Sequence, residues 1–290
     1  MKNVLLTGVT SKIGRAVIPV LLDNGFNVTG LCRHPEKYTD ECDIEIIKHD
    51  LNDELKIDRD FEYIIHVASY VPYNFDNKDS FEKSFFENIR SINNLLRFSL
   101  KNNLQKIVFT SSVDVYGDSD NDYIEEDSNL NGISNYGISK IASEGLLNVY
   151  FHLYGIKSTI FRLSYVYGTG MGEDRFLKRV ITDLKCMKEI ELYNIDNVLN
   201  IINVKDVAFA LVKALDGPCG IFNLSQNFTL GEYINSAKNV LMVPTIVNEL
   251  KHSESVSRRY YSTKKLKSCF GWEPSISLSD GITQIVEDLK

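Results

Sequence analysis

The stretch Val4-Leu5-Leu6-Thr7-Gly8-Val9-Thr10-Ser11-Lys12-Ile13-Gly14 reads as a short apolar run, a tight turn and the start of a helix. A strand that is apolar at consecutive positions is buried on both faces, as in a parallel sheet covered by helices. Gly8 permits the turn, and Gly14 lets the following helix pack closely on the strand. The first N–H groups of that helix lack partners and carry the positive end of its dipole, which suits a pyrophosphate. Working outward, strands are expected at Asn27–Cys32, Ile44–Lys48, Tyr63–Ala68, Lys106–Ser111 and Ser158–Leu163. Helical stretches fall at Ile13–Asn24, Phe81–Asn102 and Tyr136–Tyr154. Such alternation with right-handed crossovers gives an α/β fold with a doubly wound parallel sheet. Pro19 lies inside the first helix and is expected to kink it.

Past Tyr167 the alternation loosens. Residues 164–199 and 227–290 are assigned to a smaller, interleaved C-terminal substrate domain. Residues 1–163 form the dinucleotide-binding domain, to which 200–226 return. The chain of 290 residues, 43% hydrophobic and 24% charged, has the composition of a globular protein and not of a disordered one. Its net charge of -7, without a basic stretch, argues against nucleic acid or an anionic membrane as partner. Five cysteines, an odd number with no CxxC pair, argue against a disulfide framework or zinc site, and no metal is expected. No run approaches the about 20 apolar residues of a membrane helix, and the apolar start is too short for a signal peptide, so a cytoplasmic protein is expected.

The second strand carries the cofactor preference. A carboxylate at its end would accept from the 2′-hydroxyl of NAD. The chain has Cys32, then Arg33 and His34. A guanidinium there favours the 2′-phosphate of NADP, with NAD the alternative and a surface arginine the bland one. Lys12 can add a second cation. Ser11 stands in the middle of the turn; if its backbone needs a positive φ, it costs about 1 kcal/mol.

Asn135-Tyr136-Gly137-Ile138-Ser139-Lys140 holds the chemistry. Tyr136 and Lys140 share one helix face. An ammonium beside a phenol favours the phenolate, and so prepares an acid–base group. Upstream, Phe109-Thr110-Ser111-Ser112-Val113-Asp114-Val115-Tyr116-Gly117 closes a strand at its carboxyl end, where such sheets bind ligands.

Together these motifs, with Phe161-Arg162-Leu163-Ser164-Tyr165-Val166-Tyr167-Gly168 and Gly271-Trp272-Glu273-Pro274, resemble the extended short-chain dehydrogenase/reductases, and within them the NAD-dependent epimerase/dehydratase group. The resemblance implies a Rossmann fold with Ser112, Tyr136 and Lys140 as catalytic residues. It places the cofactor on Gly8, Thr10, Ser11, Lys12, Ile13, Gly14, Arg33, Asp50, Leu51, Val67, Ala68, Asn88, Tyr136 and Lys140. Asn88 would support the lysine. His66 reads as a core histidine. A nucleotide sugar is the implied substrate, with Tyr70, Asp114, Arg175 and Arg258 as its contacts; Tyr73, Tyr165, Lys178 and Arg259 lie in neighbouring segments. The Asp-Glu pair of the hexose 4,6-dehydratases is Val113-Asp114 here, which disfavours that elimination. Reduction of a 4-keto sugar is preferred, 4-epimerisation follows closely, and an NADP-sensing regulatory protein is the alternative from another class. A homodimer through the helices near 81–102 and 136–154 is expected.

Overall fold

The computed structural model describes residues 1–39, 42–72, 78–119, 121–244, 247–250 and 258–289. The first half runs β1 (Asn3–Thr7), α1 (Lys12–Asp23), β2 (Asn27–Cys32), β3 (Glu45–Lys48), β4 (Tyr63–His66), α2 (Lys78–Ser99), β5 (Lys106–Ser112), β6 (Tyr123–Ile124), α3 (Asn135–Tyr154) and β7 (Ser158–Leu163). The second half runs β8 (Tyr165–Tyr167), α4 (Phe176–Lys185), β9 (Ile190–Tyr193), β10 (Val198–Asn203), α5 (Val204–Asp216), β11 (Gly220–Leu224), β12 (Gln226–Thr229), α6 (Leu230–Leu241), β13 (Val247–Leu250), β14 (Tyr260–Tyr261), α7 (Lys264–Phe270) and α8 (Leu278–Glu287).

Seven parallel strands form the main sheet in the order β11-β7-β5-β4-β1-β2-β3. Successive residues of β1 point to opposite faces and are buried on both. Val4 and Leu6 join a core with α1 and α5, whereas Leu5 joins a core with α2 and α3. The strand order reverses between β1 and β4, and the crevice beyond their carboxyl ends is where such a sheet takes a ligand. The expected Rossmann sheet is therefore present. α1 continues through Pro19 as one helix, with the ring on its exposed side.

One expectation changes. The strand after residue 197, β10, does not join the main sheet. It pairs with β8 in parallel and β12 in antiparallel fashion, in a second sheet of three strands. The return to the main sheet comes with α5, which packs on α1, and with β11, which pairs with β7. A separate core of α4, α6 and α8 closes over Tyr167, Met171 and Ile201. At the amino end of β5, the Lys106 ammonium donates to the carbonyls of Ala214 and Gly217 at the end of α5. No helix among the described residues is long and apolar enough to cross a membrane, and they hold no group of residues that fits a metal ion. All five cysteines are free.

Candidate active site

The turn after β1 has the shape its glycines imply. Gly8 has φ +74°, and a Cβ there would stand 2.8 Å from the Ala68 nitrogen; one on Gly14 would stand 2.2 Å from the Gly8 carbonyl oxygen. Ser11 has φ −79° and ψ 160°, so the penalty expected for a non-glycine residue does not arise. Its hydroxyl caps α1 by accepting from the Gly14 N–H at 3.1 Å, and its own proton remains for an anion. The Thr10 carbonyl accepts from Arg15, and Ile13 packs against the core beside α1. Gly8 and Gly14 thus let the turn pack closely on Ala68 and on α1, and the turn leads into the amino end of α1, whose N–H groups suit a phosphate of a dinucleotide.

Behind it, Thr7 Oγ1 accepts from the N–H groups of Val67 and Ala68 and meets His66 Nδ1 at 2.8 Å. His66 Nε2 lies 3.4 Å from Ser91, and the ring stacks on Phe109. Burial lowers its pKa from 6.5 to about 3, so it is a neutral core histidine. Asp50, at the end of β3, accepts from the N–H and amide of Asn52, and the Leu51 carbonyl accepts from Asn94. Arg33 is half-exposed at the end of β2, and its guanidinium lies 3.6 Å from Glu87 of α2. Lys12 does not stand beside Arg33 as a second cation. Its ammonium donates to the Val166 carbonyl of β8, and its stem lies against Gly170.

Lys140 is buried and donates to the Thr110 carbonyl at 2.8 Å; its ammonium sits 4.7 Å from the Phe109 ring centre and 5.5 Å from that of Tyr136. The bond ties α3 to the carboxyl end of β5, two residues before Ser112. Burial lowers the lysine from 10.5 to about 7, opposed by the Glu144 carboxylate one turn further along α3. The Tyr136 phenol departs from expectation. Burial, and then the Asp114 carboxylate, push it above its ordinary range, and only a hydrogen bond with Ser69 opposes them. Both effects favour the neutral phenol over the phenolate. Ser112 is buried, and its hydroxyl accepts from the Asp114 N–H at 3.2 Å. The Asp114 carboxyl is raised by desolvation and has no hydrogen-bond partner among the described residues.

No hydrogen bond joins Asn88 to Lys140 among the described residues. Its amide nitrogen donates to the Tyr70 carbonyl and Ser139 hydroxyl, and its oxygen accepts from the Tyr70 N–H and Ser69 hydroxyl. It therefore steadies Ser69, the partner of the Tyr136 phenol. Ser69 has no role in the sequence analysis above; a hydroxyl just past β4 was the available signal. A second unrecognised unit is the buried pair of Glu144 and Arg162, with bonds of 2.7 and 3.1 Å. Ser111 donates to Glu144, and Arg162 also donates to the Tyr116 hydroxyl and Glu126 carbonyl.

On the substrate side, Arg175 is half-exposed just before α4, with Tyr165 hydrogen-bonded to it and the Asp174 carboxylate 3.9 Å away. Arg258 is exposed and without a partner among the described residues, whereas Arg259 donates to the Gly117 carbonyl. Lys178 is not available to a ligand: it is buried against Glu173 at 2.7 Å, Asp288 at 3.5 Å and the Met171 carbonyl. Tyr70 is half-buried with the Lys83 ammonium over its ring. Tyr73 lies outside the described residues.

The chain is 28% identical to a putative UDP-glucose 4-epimerase of Methanocaldococcus jannaschii, over 99% of this chain and 98% of that one. It is 26% identical to a dTDP-4-dehydro-6-deoxyglucose reductase of Escherichia coli, over 78% and 74%. In fold it matches the UDP-glucose 4-epimerase of Thermotoga maritima, with a TM-score of 0.83 and 23% identity over 99% and 98% of the two chains. The UDP-glucuronic acid 4-epimerase of Bacillus cereus, solved with NAD, gives the same TM-score at 21% identity and the same coverage. Residues 4–225, which run from β1 through β11, match one family, and the chain belongs to that family, the NAD dependent epimerase/dehydratases.

Proposed function

We propose that this protein transfers a hydride to and from C4 of a nucleotide sugar, with 4-epimerisation as its net reaction. The observation that carries this reading is the buried Lys140, under the Tyr136 ring and bonded to Thr110 at the end of β5, a strand that pairs with β4, whose continuation at Ala68 meets Gly8. The relatives that match over their whole length favour epimerisation over the reduction preferred from sequence. A bound dinucleotide supplies the hydride acceptor. Tyr136 would take the sugar hydroxyl proton and later return it once the positive charge of an oxidised dinucleotide, beside that of Lys140, favours its phenolate, and Ser112 would steady the oxygen as its charge changes.

NAD is the cofactor favoured by the family and by Glu87, whose carboxylate stands near the end of β2. NADP is the second reading, favoured by Arg33, whose loose ion pair a 2′-phosphate can replace. Tyr70, Asp114, Arg175 and Arg258 face the sugar and its diphosphate. A second copy is proposed to pack on α2 and α3, where Phe86, Val149 and Leu153 stand exposed. The site assignments, the division into two domains and a cytoplasmic location belong to the same proposal.

The test is direct. The purified protein is denatured and any released dinucleotide identified; tightly held oxidised NAD is expected, as an epimerase regenerates its cofactor in each turnover. UDP-glucose is then offered, and conversion to UDP-galactose without net NADH is expected. Tyr136→Phe should lose about 10³-fold in rate and keep its cofactor. An empty protein that instead consumes NADPH with a 4-keto nucleotide sugar would replace epimerisation by reduction. Unchanged behaviour of Tyr136→Phe would point to the sensor class.

A further inference from the structure

The Glu144 carboxylate stands where an apolar side chain is expected. β5 turns Ile107, Phe109 and Ser111 to one face, and the first two join the core shared with α2 and with Leu147 of α3. Ser111 and Glu144 interrupt that contact with a hydroxyl and a charge, both buried. The Ser111 hydroxyl donates to Glu144 Oε1 at 2.5 Å, and Arg162 of β7 donates to Oε2 at 2.7 Å. A buried ion pair does little for stability by itself, since apolar residues of like volume often serve a fold as well or better. One turn before Glu144, on the same face of α3, lies Lys140, and its ammonium donates to the Thr110 carbonyl at 2.8 Å. Lys140 and Glu144, neighbours on one helix face, are thus bonded to Thr110 and Ser111, neighbours at one strand end, and the next residue of that strand is Ser112. The other groups about the ammonium are uncharged. They are the Phe109 ring, the Tyr136 ring, and His66 of β4, which burial keeps neutral, while Asn88 of α2 reaches Ser139 beside the lysine.

We infer that Glu144 is a positioning residue: it is the fixed counter-charge of the Lys140 ammonium, and with Ser111 it holds that lysine and Ser112 in one register across the contact of α3 with β5. This rests on the hydride-transfer reading above, in which the lysine charge favours the Tyr136 phenolate. Glu144 lies one turn deeper along α3, so it acts on the reaction through Lys140. Ser111 from β5 and Arg162 from β7 fix the carboxylate, and Arg162 is itself anchored on the Tyr116 hydroxyl and the Glu126 carbonyl. Burial lowers Lys140 to about 7 and Glu144 opposes the fall. The lysine charge is present below its pKa and lost above it, so removing the carboxylate brings the loss to lower pH.

The test follows kcat and KM for UDP-glucose against pH in the NAD-loaded protein. Glu144→Gln keeps the shape and loses the charge. The alkaline limb of kcat, where the ammonium gives up its proton, should move to lower pH by about one unit or more, with KM unchanged. Glu144→Asp keeps the charge and should leave the limb within about half a unit of wild type, whatever its stability. A group that only packs would make the two variants alike. The same shift is read without turnover in protein labelled with [ε-13C]lysine, from the titration of the resonance that Lys140→Met lacks. Where Glu144→Gln does not fold, Glu144→Leu/Arg162→Met leaves no buried charge behind and carries the same expectation. A limb and a lysine titration that stay in place would overturn the inference, as would a rise in KM in place of the shift. A wild-type protein that holds NAD but turns over none of UDP-glucose, dTDP-glucose and GDP-glucose would overturn the nucleotide-sugar reading, and the lysine titration then decides the inference alone.

Discussion

Breaking the Glu144–Arg162 pair should cost more than removing it. Both side chains are nearly inaccessible, at 5% and 2% exposure, and meet through two hydrogen bonds. Glu144→Leu leaves a guanidinium buried among Tyr116, the Glu126 carbonyl and Ser111, without its counter-charge. Orphaning a buried charge in this way costs about 3–5 kcal/mol. Arg162→Met strands the carboxylate and should cost a similar amount. If the two losses were independent, the double variant would lose about 6–10 kcal/mol, close to or beyond the stability of an ordinary domain. The double variant, however, leaves no charge behind. It forfeits hydrogen bonds at Ser111, the Tyr116 hydroxyl and the Glu126 carbonyl, each worth about 1 kcal/mol, so its cost should be about 3 kcal/mol. The expected order is a double variant no less stable than either single, with a coupling of about 3 kcal/mol or more between the sites. Urea unfolding followed by far-ultraviolet circular dichroism measures all four proteins. Single variants that lose under about 1 kcal/mol, or a double that is the plain sum, would refute the reasoning.

Two further outcomes follow from the site. His66 is held near pKa 3 against an ordinary 6.5, so in that window the unfolded chain binds a proton that the folded one refuses, and stability falls as pH falls. From pH 7 to 5 the loss is about 2 kcal/mol, 1.5 units at about 1.4 kcal/mol each; His66→Gln should lack it, and parallel stability–pH curves for the two proteins would contradict the assignment. Ser69→Ala removes the hydrogen bond that lowers the Tyr136 phenol, so the limb of the rate profile that reports its ionisation should move to higher pH at unchanged cofactor affinity; a profile that stays in place would show that Ser69 only fills space.

The parts of the molecule legible in its sequence are those whose cause is local. Strands such as β1 and β4 are buried on both faces, so burial alone writes them as nearly continuous apolar runs, and their ends match the reading within a residue or two. The small strands β8, β9 and β12 are three or four residues long and partly exposed, and no such run marks them. α6 was passed over, although Thr229 and Glu232 form a capping box that announces it. β10 shows why a strand's partner is harder to read than the strand: its apolar residues suit either sheet, and the choice was made by β8 and β12. In the site, the placement of Lys140 follows from helix periodicity. The roles of Ser69, Lys12 and Glu144 depend on what stands across the crevice, and no spacing along the chain encodes that. Ser11 illustrates the converse, since its cap is local but competes with the glycine pattern that the eye expects.

The outermost strand, β11, carries a consequence for how the protein is made. It lies beside β7 in space, yet about sixty residues of polypeptide separate the end of one from the start of the other. A ribosome therefore exposes β7 with one raw edge and must deliver β8, α4, β9, β10 and α5 before that edge is covered. Throughout this interval the nascent sheet can recruit strands from neighbouring chains. Translation stalled in that interval should yield a sticky, chaperone-bound fragment, and synthesis carried just past β11 should release it.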